Sequence, residues 1–210
     1  MNVPRLMLKF LNALYNIVDR IFIGQGVGSM ALSGISVTFP VMLIVMGFGM
    51  LIGIGAGVLV SINLGKHDMK KAEQVLGSSF LLMLLVSILI TILGFSIKDV
   101  LLQSFGATPE TIEYANDYLN IILAGTVFQV VGFSLNAIIR SEGNAKIAMY
   151  SMIISAGTNM TLNPIFIFGF GWGVKGSAYA TVISMILLTI WVLVHFRSSK
   201  SVVKLKAENI

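Results

Sequence analysis

Long apolar stretches alternate with short polar connections along the chain. Six of these stretches are close to, or longer than, the roughly 20 residues that an α-helix needs to cross lipid. They cover approximately residues 6–23, 35–64, 75–97, 114–139, 147–168 and 177–196. Their apolarity is continuous, whereas the strands of a membrane barrel alternate over about ten residues. The pattern predicts an all-α membrane domain, a bundle of six transmembrane helices over residues 1–210.

The composition agrees with lipid as the main solvent. Only 11% of the residues are charged and the mean hydropathy is +0.92, while a soluble domain carries about 25% charged residues. These values exclude a water-soluble globular fold, a disordered chain and a coiled coil. The chain has no Cys, which excludes disulfides, thiolate metal sites and Cys nucleophiles.

The motifs of common enzyme classes are absent from the sequence. No HExxH, GxSxG or usable Ser/His/Asp arrangement occurs, so we predict that the protein is not an enzyme and needs no cofactor. His67 and His195 have no partner at metal-ligand spacing, and we expect both imidazoles to be solvated.

The basic residues fall on alternate connections between the apolar stretches. One side holds eleven of them: Arg5, Lys9, Lys66, Lys70, Lys71, Arg140, Lys146, Arg197, Lys200, Lys204 and Lys206. The other side holds Lys98 and Lys175, with Arg20 inside the first stretch. This positive-inside bias predicts a multi-pass protein of the cytoplasmic membrane with both termini in the cytoplasm. The net charge of +5 then reflects topology, and we expect no nucleic acid partner.

Three glycines repeat at four-residue spacing in the second stretch. Gly49, Gly53 and Gly57 therefore share one face of a helix. Small residues on one face let a neighbouring helix approach closely. Close packing is the favoured interpretation, and a flexible point for conformational exchange is the alternative.

An acidic residue in the first stretch is the main candidate for chemistry at membrane depth. Asp19 shares a helical face with Asn12 and Asn16, and Tyr15 precedes it by one turn. Ionisable groups in lipid are costly and usually functional. We interpret Asp19 as an ion-binding or proton-carrying carboxylate. A static pair with Arg20 is the alternative, although adjacent helical residues point about 100° apart.

Further polar residues recur at helical spacing in later stretches. They are Gln129 and Asn136 in the fourth, Asn159 and Asn163 in the fifth, and Thr181 in the sixth. Pro164 follows Asn163 directly and frees a backbone carbonyl in the preceding turn. Carbonyl and carboxamide oxygens suit a hard cation such as Na⁺. Each Asn alone also fits a role in helix packing.

Several motifs resemble one transporter family, in order and at matching spacing. Residues 12–24 (NALYNIVDRIFIG) resemble the first-helix motif of multidrug and toxic compound extrusion (MATE) transporters. Residues 162–169 (LNPIFIFG) and 173–181 (GVKGSAYAT) resemble the region of its fifth and sixth helices. Residues 140–144 (RSEGN) resemble its loop between the fourth and fifth helices.

The resemblance implies an antiporter that expels organic cations in exchange for Na⁺ or H⁺. Transporters of this family have twelve helices in two six-helix lobes, and this chain would be the N-terminal lobe. The family's ion site would fall on Tyr15, Asp19, Asn136, Asn159, Asn163 and Thr181, and Na⁺ would be held at Asp19, Asn159 and Asn163. Pro4 matches a first-helix proline whose bending is linked to proton coupling, and Pro164 would bend the fifth helix.

The resemblance also sets the expected partners. They are the lipid bilayer, cationic amphipathic small molecules and a second lobe, which would be either a missing C-terminal half or another copy of the chain. Arg5 and Lys9 lie where the family's first helix is apolar, and that helix starts close to the N-terminus here. Position 163 is often Asp in the family but is Asn here. Asp19 would then be the sole titrating group of the site.

Two other functions stay open at the level of sequence. The first is a lipid-linked oligosaccharide flippase of the wider superfamily, for which the single intramembrane cation, Arg20, is an unfavourable sign. The second is a truncated, non-transporting membrane half.

Overall fold

The computed structural model describes residue 22 and residues 24–206, and helices dominate this part of the chain. They are α1 (Ser29–Gly65), α2 (Met69–Ser104), α3 (Ile112–Ala124), α4 (Thr126–Ser141), α5 (Ala145–Pro164) and α6 (Gly173–Arg197). A π-helical turn, Ile165–Gly169, follows α5. The described residues contain no strand, so the all-α fold is confirmed. The first predicted span, 6–23, lies outside the described residues except for position 22.

Three described helices are each long and apolar enough to cross a membrane. They are α1, α2 and α6, and they contain the predicted spans 35–64, 75–97 and 177–196. The fourth predicted span, 114–139, is divided between α3 and α4, which together would cross once.

The fourth span is broken rather than continuous. Helices α3 and α4 meet at Gly125 with a bend of 56°. A Cβ at Gly125 would lie 2.6 Å from a methyl group of Val182 in α6. The break therefore coincides with a close approach of α6, which the apolar pattern of the fourth stretch does not encode.

The surface of the helices is more apolar than the interior. Large apolar side chains on α1 and α2 are strongly exposed, and Leu51 reaches 70% of its maximum. Buried polar residues include Ser134, Asn136 and Ser151. This distribution suits a lipid solvent, in which apolar groups face outward and polar groups pair inside.

Helix α4 packs on α1 through the predicted glycine face. A Cβ on Gly53 would lie 2.6 Å from the Cα of Ser134, and one on Gly49 would lie 3.5 Å from the Cα of Val130. Ser134 Oγ also donates a hydrogen bond to the Gly49 carbonyl at 2.7 Å. Gly57 likewise faces the end of α4, at Ser141. The structure favours close packing over a flexible point.

Two of the connections that carry basic residues meet the C-terminal segment at one end of the bundle. Lys206 pairs with Glu73 at the start of α2, and Ser201 reaches Glu142 in the turn between α4 and α5. The grouping is the one that the charge pattern predicts, while the side of the membrane stays a prediction.

The expectation for the two histidines holds for only one of them. His67 is exposed, but His195 is buried and contacts Glu142. The prediction of a solvated His195 is wrong because the chain after α6 folds back over this helix end.

The glycine contact leads to a prediction for stability. Gly53→Ala should lower the free energy of unfolding by about 1–3 kcal/mol, because the added methyl group would overlap the α4 backbone. Gly55→Ala on the same helix is the matched control, since nothing lies within 4 Å of its Cβ position. Thermal unfolding in detergent, followed by Trp172 and Trp191 fluorescence, measures both. Equal melting temperatures for the two variants would contradict the role of the glycine face.

Candidate functional site

A hydrogen-bonded chain of three side chains joins α5 to α6 inside the bundle. Asn163 Nδ2 donates to Asn159 Oδ1 at 2.9 Å, and Asn159 Nδ2 donates to Thr181 Oγ1 at 3.1 Å. Asn159 and Thr181 are each 1% exposed and Asn163 is 0% exposed. The structure thus brings together three of the predicted site residues.

Local sequence explains why these groups meet. Asn159 and Asn163 are four residues apart in α5, so one lies above the other on the same helical face. Gly176 allows the start of α6 to approach the end of α5, because a Cβ there would lie 3.0 Å from the backbone of Phe166. Thr181 follows about one and a half turns later and reaches Asn159.

The fourth predicted residue, Asn136, belongs to a different network. Its Nδ2 donates to the Ala148 carbonyl at 2.9 Å and to Ser151 Oγ at 2.7 Å. Ser151 precedes Asn159 by eight residues, or about 12 Å along α5. Asn136 therefore fastens α4 to the first half of α5, and no recorded hydrogen bond links it to the chain of Asn159.

The remaining predicted residues cannot be placed. Tyr15, Asp19 and Pro4 lie outside the described residues, and the carboxylate assigned to Asp19 stays a prediction. Pro164 ends α5, a π-helical turn follows it, and the bending role assigned to this proline stays a prediction.

Gln129 contributes a buried oxygen that the predicted site does not include. The side chain is 4% exposed, and its Oε1 has no hydrogen-bond partner among the described residues. A buried acceptor without a partner lowers stability by about 1–3 kcal/mol. A buried acceptor of this kind requires a further partner, such as a water molecule or an ion.

The position of Gln129 follows from the packing around it. Gly125 and Gly132, one turn to either side, approach Val182 and Thr189 of α6. Asn136 lies two turns further on the same face and contacts α5. Gln129 therefore lies on the face of α4 that packs against α6, and it is buried there.

The sequence contains a signal for Gln129. Its spacing of seven residues from Asn136 places both on one polar face, but the spacing cannot show which of the two lacks a partner. Asn136 finds acceptors on α5, and that outcome depends on how the helices pack.

An aromatic cavity at the end of α5 lies on another surface. It has a volume of about 510 Å³ and is lined by Phe166, Trp172, Lys175, Tyr179 and Ile183. Tyr179 and Trp172 are both exposed, whereas Thr181 is buried. Exposed aromatic residues beside a Lys are typical of the boundary between lipid and water, so this cavity is separate from the polar interior.

Comparisons with known proteins agree on one family. The family model described as MatE matches residues 4–165. The multidrug export protein MepA of Staphylococcus aureus strain MRSA252 is 32% identical over 202 residues, which are 96% of this chain and 45% of that protein. The chain thus spans about half the length of the curated relatives that it matches.

Solved structures give the same result at the level of the fold. A MATE transporter crystallised in a bent conformation has a TM-score of 0.92 and 30% identity, covering 100% of this chain and 47% of that one. A MOP superfamily transporter from Pyrococcus furiosus has a TM-score of 0.92 and 30% identity over 99% of this chain and 46% of that one. It is described as having a binding pocket of reversed polarity that suggests a different function.

The hydrogen-bonded chain predicts that a substitution at Asn159 lowers stability, whereas a substitution at an exposed position of α5 does not. Asn159→Leu should lower the free energy of unfolding by about 1–3 kcal/mol, because Asn163 loses its acceptor and Thr181 loses its donor. Thr161→Val on the exposed face of α5 is the control, since that hydroxyl bonds only within its own helix. Thermal unfolding in detergent measures both variants. A stability of Asn159→Leu equal to that of the wild type would mean that the chain of hydrogen bonds does not hold α5 to α6.

Proposed function

Because the chain belongs to the MatE family, we propose that it is the N-terminal lobe of an antiporter that exports organic cations in exchange for Na⁺ or H⁺. The observation that carries this proposal is the buried polar chain of Asn163, Asn159 and Thr181. Gln129 adds a buried oxygen that has no hydrogen-bond partner among the described residues. The name of the relative MepA, a multidrug export protein, supports drugs as the exported class. Relatives of this kind are transporters, which fits a protein that is not an enzyme.

The described interior supplies neutral oxygen atoms for a cation. Asn159 Oδ1, Thr181 Oγ1 and Gln129 Oε1 are all buried, and hard cations prefer oxygen ligands. In this proposal Asp19 supplies the one negative charge of the site. Asn163 cannot take up a proton, so its amide orients Asn159 through the hydrogen bond at 2.9 Å.

Coupling follows from the energetics of charge at membrane depth. An ionised carboxylate in lipid surroundings is unfavourable, and a bound Na⁺ or proton removes that penalty. In the proposed cycle, ion binding at Asp19 lets the first helix repack and lowers the affinity for the cationic drug. Linkage requires that the drug lower the affinity for the ion by the same factor.

The complete transporter requires a second lobe. This chain covers 45% of MepA, and the proposed drug cavity lies between two lobes, supplied by a C-terminal half or by another copy. The charge pattern supports insertion in the cytoplasmic membrane with both termini in the cytoplasm.

A lipid-linked oligosaccharide flippase is the second candidate, since a neighbour of this fold from Pyrococcus furiosus is described as having a different function. Its phosphate-bearing substrate would need basic residues inside the lobe. The buried residues of the described part include no Lys or Arg, which favours cation export. Assays of dye efflux and of lipid-linked oligosaccharide translocation separate the two functions.

The proposed site predicts that Na⁺ stabilises the chain and that Asp19 is required. Na⁺ at 100 times its dissociation constant should add about 2.7 kcal/mol to the free energy of unfolding, and Asp19→Asn should remove this effect. Asp117→Asn, at an exposed ion pair with Lys175, should retain it. Melting temperatures in detergent across Na⁺ concentrations, with K⁺ at equal ionic strength, measure the effect.

For a proton-coupled protein, the same comparison is made across pH. Identical unfolding of the wild type and Asp19→Asn under all of these conditions would overturn the proposed site. In vesicles, Asp19→Asn should also abolish ion-driven efflux of ethidium by a two-lobed assembly that contains this chain.

Gln129 allows stability and ion binding to be separated. Gln129→Met should raise the free energy of unfolding without Na⁺ by about 1 kcal/mol, because it removes a buried acceptor that has no partner. The same variant should weaken stabilisation by Na⁺, because one ligand is lost. Gln103→Met, at an exposed position of α2, is the control. If Na⁺ stabilises Gln129→Met as strongly as it stabilises the wild type, Gln129 is not a ligand of the site.

A further inference from the structure

The turn between α4 and α5 contains a buried carboxylate that the transport proposal does not use. The Glu142 side chain is fully buried, and its Oε1 is contacted by His195 Nε2 and accepts from Asn144 Nδ2 at 3.0 Å. Its Oε2 accepts from the Val203 N–H at 3.3 Å and from Ser201 Oγ at 3.1 Å. Each oxygen of Glu142 thus accepts from a firm donor, Asn144 Nδ2 at Oε1 and the Val203 N–H at Oε2, while the Ser201 hydroxyl also donates to the Val203 carbonyl at 2.6 Å.

Polar groups from three parts of the fold surround this buried carboxylate. Two carboxylate oxygens offer about four lone-pair sites, and burial of the group is tolerated only when these sites are satisfied. The donors come from the α4–α5 turn, from the last turn of α6 and from the chain after α6. Glu142 is therefore the point at which three parts of the fold are joined.

The chain after α6 lies against the bundle rather than in solvent. We call residues 198–206 the strap. Val203 is 0% exposed while its neighbour Val202 is 42% exposed, and the Leu205 N–H donates to the Phe196 carbonyl at 3.3 Å. At its end, Lys206 pairs with Glu73 of α2.

A second contact ties the strap to the same turn. Asn144 Nδ2 lies 3.4 Å from the Lys200 carbonyl in addition to its bond with Glu142. The strap is thus fastened by polar contacts at the α4–α5 turn and by Val203 and Leu205, which pack on the hydrophobic core. The helices beneath it are held by other contacts, such as the glycine face between α1 and α4.

We propose that the contacts of Glu142 hold the strap against the bundle and can be released. We call Glu142 with these contacts the catch. While the catch is closed, the position of the α4–α5 turn sets the direction in which the chain leaves α6. Loss of acceptor capacity at Glu142 frees residues 198–206 while the helices stay folded. Any segment that follows the strap then moves with α4 and α5 when the catch is closed, and independently of them when it is open. This proposal does not depend on the nature of the exported substrate.

Gln at position 142 separates acceptor capacity from size and shape. Its carboxamide keeps one oxygen and replaces the other with an NH₂ donor. In either orientation the NH₂ group would face a donor that the carboxylate accepts from, Asn144 Nδ2 at the Oε1 position or the Val203 N–H at the Oε2 position. Glu142→Gln should therefore open the catch without creating a cavity.

The absence of Cys from the sequence makes thiol labelling a direct measurement. A single Val203→Cys is introduced into the whole chain in detergent, and its rate of reaction with a maleimide is compared with that of Val202→Cys. In the otherwise unchanged chain, Val203→Cys should react at least tenfold more slowly, because labelling of a buried thiol requires local opening. Equal rates would show that the strap is not docked and would overturn the proposal.

Adding Glu142→Gln should accelerate the labelling of Val203→Cys about tenfold or more, as expected for the loss of hydrogen bonds to a charged acceptor. Glu110→Gln, at an exposed site, should leave the rate unchanged. Leu135→Cys, fully buried in α4, reports on the helices and should stay protected in Glu142→Gln. Unchanged protection of Val203→Cys would contradict the proposal, and so would exposure of Leu135→Cys, since Glu142 would then hold the bundle itself.

His195 provides an independent variant. His195→Gln keeps an N–H donor and should retain most of the protection of Val203→Cys, whereas His195→Leu removes the donor and should accelerate labelling. Equal effects of the two substitutions would show that the imidazole acts only through packing, and would remove His195 from the catch.

Discussion

The close approach of α1 and α4 is the contact on which the other contacts of α4 depend. Gly53 meets the backbone of Ser134 with no room for a side chain, so α4 is held at one distance and one rotation. Once α4 is placed, Asn136 can bond to α5 and the Phe128 carbonyl can accept from Thr189 of α6. The backbone contact between α1 and α4 thus determines where the other contacts of the interior can form.

The same packing buries the polar groups to which we assign the proposed ion site. Water-free surroundings require each polar group to find a partner, and Asn159 meets this requirement by bonding to its neighbours. Gln129 does not. A lobe in which every buried polar group had a partner would be more stable, but none of its buried oxygens would be available to bind a cation. The unsatisfied oxygen is therefore a local loss of stability that a bound ion could recover.

The sequence predicts those features that depend on the solvent or on a single helix. Lipid requires long apolar runs, so the spans are visible, and the spacing of four residues places Asn159 and Asn163 on one face. Features that depend on contacts between residues far apart in the chain cannot be predicted from the sequence pattern. The break at Gly125 coincides with the approach of Val182, 57 residues later. The burial of His195 depends in the same way on the chain after α6.

The π-helical turn after Pro164 has a consequence for how the two ends of this span are oriented. A π turn holds one residue more than an α turn, so it rotates the following residues by roughly 100° relative to an uninterrupted helix. Asn163 faces the interior before the turn, while Phe168 and Phe170 face outward after it. Removal of one residue between 165 and 169 would restore α-helical phase and turn these rings toward a different neighbour. The buried Asn163 and the exposed rings of Phe168 and Phe170 thus belong to one continuous segment but differ in rotational phase.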